Sequence, residues 1–325
     1  MLTFSTQGLG FVTVPIVAVI LFHLTDNLNV IWRLLLGSGS LPGILLMILQ
    51  FRLYTTEHQS PEDENHQDGE QVQDEEEHAE TISDEVLSHQ EDDEPETDTN
   101  THQNSTCCQS LLHEPGLVKK VLGTAGTWFF FDVIFYGNTI FQPIVVEAAF
   151  GKSEAETPFH ELSDTAWKSL ILTSIALPGY FVAAVLIGKR VFCLIQTPRY
   201  VMMQGFAAMG ILYAIIGTKW SYLRQYPALL IFLYGMTFFF ANYGPNTTTF
   251  ILPSLCYSPE HRTTWNGISA ACGKLGALTG ASLFKPAADD LGDNVVMLIC
   301  ACLSVVAYVL TFCFVPRLGL NQTTD

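Results

Sequence analysis

Three side chains with different proton chemistry recur every fourth residue in WFFFDVIFYGNTIFQ: Trp128, Asp132 and Tyr136. An indole N–H only donates, a carboxyl accepts or donates according to its protonation, and a phenol does both. At 3.6 residues per turn each four-residue step drifts about 40°, so a helix puts all three on one face. The stretch lies inside an apolar run from Val121 to Val146, long enough to cross a bilayer. A carboxyl is costly in lipid, and the usual reason to keep one is a protein interior or wet cavity in which it carries function. The rival reading is an aromatic stripe packed on a neighbouring helix, with a neutral Asp132 bonded locally.

Lys274 is the second expensive residue. It sits mid-run in GISAACGKLGALTGASLF, between Gly273 and Gly276. The glycines read as small residues that let helices approach closely. Snorkelling is the rival reading for the lysine, but either end of the run lies a helical turn or two away. A buried cation opposite Asp132 would pair with it when the site is empty and offer charge to an anion when it is loaded. Gly244-Pro-Asn246-Thr-Thr-Thr249 supplies the uncharged groups. Pro245 has no N–H and frees a carbonyl four residues back. Backbone broken at membrane depth is tolerated where it is buried or lines a cavity, and Asn246 and the three threonines would place amide and hydroxyl groups there. Alternatively the threonine hydroxyls bond back to their own helix. Leu177-Pro-Gly-Tyr180 is expected to break or kink another run in the same way.

These groups must be positioned by membrane helices. Eight apolar runs have spanning length or nearly so: Gly8–His23, Val30–Gln50, Val121–Val146, Lys168–Lys189, Tyr200–Gly217, Ala228–Leu252, Asn266–Phe284 and Asn294–Pro316. The fold expected is all-α and polytopic. Two runs, a long polar insert and then six runs suggest a transporter built from six-helix halves. The six after the insert read as a complete half, and the two before it as the tail of another.

The charge is local. Of 32 acidic residues 19 lie between Glu57 and Asp98, and without them the formal charge of −17 becomes +2. An acidic stretch with few aromatics is expected to stay disordered and solvated. The acidity argues against nucleic-acid binding. Placing the insert on the cytoplasmic side leaves eight Lys and Arg inside and six outside, a slight preference. The eight cysteines contain no CxxC pair and no metal-ligand spacing with histidine. No nucleophile–base pair, metal site or phosphate loop appears, so neither an enzyme nor a cofactor is expected.

WFFFDVIFYGNTIFQ, LPGY, FFFANYGPNTTTFILP and GISAACGKLGA, with Trp32-Arg-Leu-Leu-Leu-Gly37 and Thr6-Gln-Gly8, resemble the phosphate:proton symporters of the major facilitator superfamily, the high-affinity phosphate permeases of fungi and plants. The likeness covers nearly the whole chain outside the insert. It implies helices five to twelve of a twelve-helix transporter. Residues 1–52 would be the last two helices of the amino-terminal half and 53–118 a cytoplasmic central loop. Residues 119–317 would be the carboxy-terminal half and 318–325 a cytoplasmic tail. The family's first four helices have no counterpart, so transport would call for a missing amino-terminal half. The resemblance further implies that Gln7, Trp128, Tyr136 and Asn246 donate hydrogen bonds to phosphate, that Lys274 supplies positive charge, and that Asp132 is the proton-coupling carboxyl. The family's inner-side charges are thinned here: Leu255 and Glu260 stand at two of the latch positions, and Arg262 remains.

The function expected is inorganic phosphate:proton symport by alternating access in a lipid bilayer, with the plasma membrane as the family's default. The alternatives are a transporter of another small solute, such as a sugar or organic anion, and a non-transporting or truncated membrane protein.

Overall fold

The computed structural model describes residues 2–57, 114–151, 157–191 and 194–317. The acidic insert expected over 53–118 lies outside the described residues from 58 to 113, and the tail expected over 318–325 lies outside them entirely. The described chain is almost wholly helical: α1 Leu2–Leu24, α2 Leu28–Ser38, α3 Leu41–Glu57, the short α4 Leu117–Val121, α5 Thr127–Phe150 and α6 Pro158–Leu186. A two-stranded ribbon, Arg190–Val191 against Leu194–Ile195, precedes α7 Pro198–Thr218, the one-turn α8 Trp220–Leu223 and α9 Pro227–Ala241. Then come α10 Thr247–Cys256, α11 Arg262–Leu291 and α12 Asp293–Phe314. Two π-turns, Leu122–Gly126 and Asn242–Asn246, splice α4 to α5 and α9 to α10.

Seven helical stretches among the described residues are long and apolar enough to cross a membrane: Thr6–Leu24, Leu28–Tyr54, Leu117–Phe150, Pro158–Leu186, Pro198–Thr218, Pro227–Cys256 and Asp293–Phe314. The expected eighth, Asn266–Phe284, is part of α11, a 30-residue helix. It falls short of the apolarity of the other seven because it carries Lys274 and Lys285 among many glycines and alanines. Helix ends also differ from the run ends. The fourth run begins at Pro158 rather than Lys168, because the Thr157 side chain caps the His160 N–H and a proline suits the first turn.

The chain divides into two compact units, 1–31 with 108–325, and 32–107. In the larger unit α1 packs on α6, α5 on α11, α7 on α12, and α9 on both α6 and α7. Its core is filled by wholly buried large side chains, among them Phe131, Phe206, Tyr213, Leu230 and Tyr234. In the smaller unit, α3 is an exposed apolar helix, and the Arg33 guanidinium lies 5.3 Å from the centre of the Trp32 ring.

Glycines set the closest contacts. Gly276 and Gly280 on α11 lie where an added methyl would overlap the backbone carbonyls of Phe129 and Val133 on α5. Two small residues four apart give a helix a flat strip on which another backbone can rest. A Cβ on Gly205 of α7 would stand 2.7 Å from the Cα of Gly244, so α7 rests directly on the second π-turn.

That π-turn corrects the expected break at Gly244-Pro-Asn246. The helix does not stop at Pro245; it widens by one residue per turn, which accommodates a residue that cannot donate. Nor are the three threonines available to a ligand. Thr247 Oγ1 donates to Asn242 O at 2.7 Å, Thr248 Oγ1 to Gly244 O at 2.9 Å and Thr249 Oγ1 to Pro245 O at 2.8 Å. Their hydroxyls bond back to carbonyls of their own helix, four or five residues earlier. At Leu177-Pro-Gly-Tyr180, where a break or kink is expected, there is no break: α6 runs through Pro178 without interruption.

At the opposite end of α5 from Phe150, Glu114 is only 5% exposed. Its carboxylate accepts from Lys120 Nζ at 2.6 Å, from the Ser258 N–H at 3.1 Å and from Ser258 Oγ at 2.7 Å. Burial alone would raise the carboxyl's pKa, but the Lys120 and Ser258 hydrogen bonds and the ammonium charge together hold it below the usual carboxylate value. A lowered folded-state pKa stabilises the fold above the unfolded value, and that contribution is lost as pH falls through the folded value.

Two outcomes are expected. Gly276→Leu forces α5 and α11 apart, and thermal unfolding in detergent should show a loss of about 1–3 kcal/mol, the usual cost of overpacking; an unchanged unfolding temperature would contradict the close contact. Glu114→Gln should lower the unfolding temperature at neutral pH. Its deficit against wild type should shrink and vanish as the medium is acidified through the carboxyl's lowered folded-state pKa, below which the wild-type carboxyl is also neutral; a deficit independent of pH would contradict the ion pair.

Candidate functional site

The three α5 side chains meet α11 in order. The Trp128 indole lies on Gly273, where an added Cβ would stand 2.5 Å from its Cδ1, and it meets the Phe250 ring edge-on at 6.3 Å. One turn along, Asp132 is 3% exposed, and its Oδ2 is buried without a hydrogen-bond partner. One turn further, the Lys274 ammonium donates to the Tyr136 hydroxyl at 3.3 Å and lies 5.1 Å from the ring centre. Lys274 is within electrostatic reach of Asp132.

The lysine departs from expectation in two respects. It is exposed rather than buried. It also bonds to Tyr136, and no ion pair joins it to Asp132 among the described residues. The physical reason is helical phase. Gly273, Gly276 and Gly280 are the buried strip that faces α5, and Lys274 follows Gly273 by one residue, about 100° around the helix. Its stem therefore leaves the contact at the edge, and only its end turns back to the α5 phenol.

Asn246 belongs to a second group, on α6 and the π-turn. It is 8% exposed. Its Nδ2 donates to the Tyr180 hydroxyl at 2.9 Å and to Asn242 Oδ1 at 2.9 Å. Asn242 Nδ2 in turn donates to the Ala176 carbonyl at 3.3 Å. The two helices can come this close because α6 presents Gly179, where a Cβ would lie 3.2 Å from the Cβ of Asn242. Gln7 is exposed, and the residue after it, Gly8, rests on the Tyr180 ring, where an added Cβ would stand only 2.5 Å from its Cδ2. A cavity of about 60 Å³ opens beside Tyr180 and Asn242, walled by Gly8, Phe135, Gln142 and Phe238.

The site residues thus fall into one group of four, Trp128, Asp132, Tyr136 and Lys274, and a second centred on Asn246, with Gln7 beside it on α1. Tyr180 and Asn242 were not singled out by the sequence reading. Both carried a usable signal: a phenol closing LPGY in an apolar run, and a second asparagine one helical turn before Asn246. Among the described residues no three His, Cys, Asp or Glu side chains are grouped so as to hold a metal ion.

The profile of the Major Facilitator Superfamily matches residues 2–281. An inorganic phosphate transporter of Toxoplasma gondii is 27% identical over 313 residues, 96% of this chain and 46% of that protein. An inorganic phosphate transporter of Saccharomyces cerevisiae is 37% identical over 164 residues, 49% of this chain and 26% of that one. A glycerophosphoinositol permease of Candida albicans is 32% identical over 199 residues, 61% and 36% respectively. The chain spans less than half the length of these relatives. With the profile running through α1 to α3, the four membrane-spanning stretches from Leu117 to Cys256 and most of α11, this polytopic membrane protein belongs to the Major Facilitator Superfamily.

Proposed function

We propose that this chain takes part in moving inorganic phosphate across a membrane together with protons, by alternating access. The observation that carries the reading is the buried Asp132 carboxyl with an unpartnered oxygen, one helical turn from a phenol that holds an ammonium group. The similarity to inorganic phosphate transporters of Toxoplasma gondii and Saccharomyces cerevisiae supports phosphate as the anion.

The coupling follows from charge. An ionised Asp132 next to an incoming phosphate repels it. At an effective dielectric of about 20, two like unit charges 4 Å apart cost roughly 4 kcal/mol. Protonating Asp132 removes that cost, so proton and anion each favour the binding of the other. Lys274 and Tyr136 supply donors to phosphate oxygens, and Trp128 supplies an indole N–H on the same face. Gln7 approaches from α1, and Asn246 forms the far wall. In this reading residues 1–52 are the last two helices of one half, 53–118 the cytoplasmic loop, and 119–317 the six helices of the other half. The packing of α1 on α6 is then the contact about which the halves rock. The membrane is the plasma membrane.

The Candida relative favours a second reading, an organic phosphate ester as cargo. Lys274 serves either, since both carry a phosphoryl oxyanion. A sugar without phosphate would leave the ammonium without a counter-charge.

The test is uptake of labelled phosphate into cells or vesicles containing the chain. Wild type is expected to accumulate phosphate when a proton gradient is imposed, and unlabelled phosphate to compete better than glycerophosphoinositol, sulfate or hexoses. Asp132→Asn should abolish proton-driven accumulation while leaving phosphate exchange. Unchanged accumulation in that variant would remove Asp132 from coupling. Stronger competition by glycerophosphoinositol would favour the ester reading, and no uptake of any of these solutes would contradict transport by this chain.

A further inference from the structure

Asn246 has an amide whose two ends offer opposite chemistry, and its neighbours determine which end is left over. The chain of bonds begins at a backbone carbonyl, which can only accept. Ala176 O takes a hydrogen bond from Asn242 Nδ2 at 3.3 Å, so the other end of that side chain, its Oδ1, is the end that faces Asn246. An oxygen there calls for an N–H, and Asn246 supplies its Nδ2 at 2.9 Å. The same nitrogen reaches the Tyr180 hydroxyl at 2.9 Å, which accounts for its second hydrogen. Both N–H groups of Asn246 are therefore committed to protein, and its Oδ1 is the polar atom left over. Among the described residues that oxygen has no hydrogen-bond partner.

We infer that Asn242, acting through Asn246, makes this wall of the site a hydrogen-bond acceptor that selects oxyanions carrying an O–H. The inference rests on the phosphate reading above. An anion whose oxygens are all bare meets Asn246 Oδ1 oxygen to oxygen, which is repulsive and leaves a nearly buried acceptor unsatisfied. Phosphate retains at least one O–H at neutral and mildly alkaline pH and donates it to that oxygen. Sulfate, of similar size and shape, has none. A site built around a substrate's O–H discriminates strongly against an analogue that lacks it. Asn242 is a positioning residue in this scheme. It is 3% exposed, and its two amide ends are both engaged inside the bundle. Its i, i+4 spacing from Asn246 across the π-turn holds the two amides in register.

The experiment is competition for labelled phosphate bound by the full chain in lipid nanodiscs, at mildly alkaline pH, where phosphate and sulfate are both dianions and differ chiefly by one O–H. Wild type should require at least about tenfold more sulfate than phosphate for equal competition, a ratio that corresponds to one mispaired hydrogen bond. Arsenate, which keeps an O–H, should compete within a few-fold of phosphate. In Asn242→Ala the Asn246 amide is no longer pinned and can turn an N–H to the anion. The sulfate penalty should then shrink by about tenfold, more than phosphate binding itself weakens. Asn242→Ser, which keeps a small polar side chain in the turn, should shrink it as well and replaces the alanine variant if that protein does not fold. A wild-type protein that binds sulfate and phosphate alike, or variants that keep the full sulfate penalty, would overturn the inference. If wild type binds no phosphate at all, the proposed function fails first, and that outcome is distinguishable from the other two.

Discussion

Where α5 passes α11, glycines at 276 and 280 bring the two backbones directly together, and Gly273 makes room for the Trp128 indole. Every charged group of the first cluster takes its place from that contact. The glycine strip brings the Phe129 and Val133 carbonyls against α11, so Asp132, between them in sequence, lies in a dry seam with one oxygen unpartnered. Lys274 follows Gly273 by one residue and emerges at the edge of the strip, where it donates to the Tyr136 phenol. A bulkier strip would separate the carboxyl from the amine and admit lipid or water between them. The charge arrangement is thus a consequence of backbone proximity, and the energy that maintains it is close packing along two helices rather than an ion pair.

The second cluster rests on the same device. Gly179 lets α6 approach the end of α9, and Gly205 lets α7 rest on the π-turn. Together they enclose Pro245 and the widened turn. Three threonine hydroxyls turn back onto carbonyls within the turn. Asn242 and Asn246 remain, four residues apart, with their polarity fixed by the carbonyl of Ala176. One cluster therefore offers donors and positive charge and the other an acceptor. A protonated oxyanion, which needs both, is the ligand that this division suits.

Much of this was legible in the sequence. The period of four in Trp128, Asp132 and Tyr136 located the chemistry and the helix face, because helical phase depends on spacing alone. The glycines flanking Lys274 signalled close packing, for the same reason that small residues do so in any membrane helix. What the sequence did not reveal was partner choice. Lys274 was expected to be buried opposite Asp132, whereas the one-residue offset from Gly273 carries it to the edge of the contact. The threonines after Pro245 were read with two outcomes open, and the local carbonyls took them. Tyr180 and Asn242 escaped notice because their roles depend on which helix lies beside Gly179, a tertiary fact that no local pattern encodes. Thr157 and Pro158 shifted the start of α6 for the opposite reason: capping is local, but a polar first turn hides it from a hydropathy count.

The central claim is that phosphate binding and protonation of Asp132 are one linked event, and proton uptake measures that linkage directly. Purified protein in weakly buffered solution with a pH indicator, challenged with phosphate, should take up protons as the anion binds. Asp132→Asn should take up fewer, by as much as one proton per site, after correction for the buffering of phosphate itself. Phosphate binding with the same proton uptake in wild type and Asp132→Asn would contradict the account.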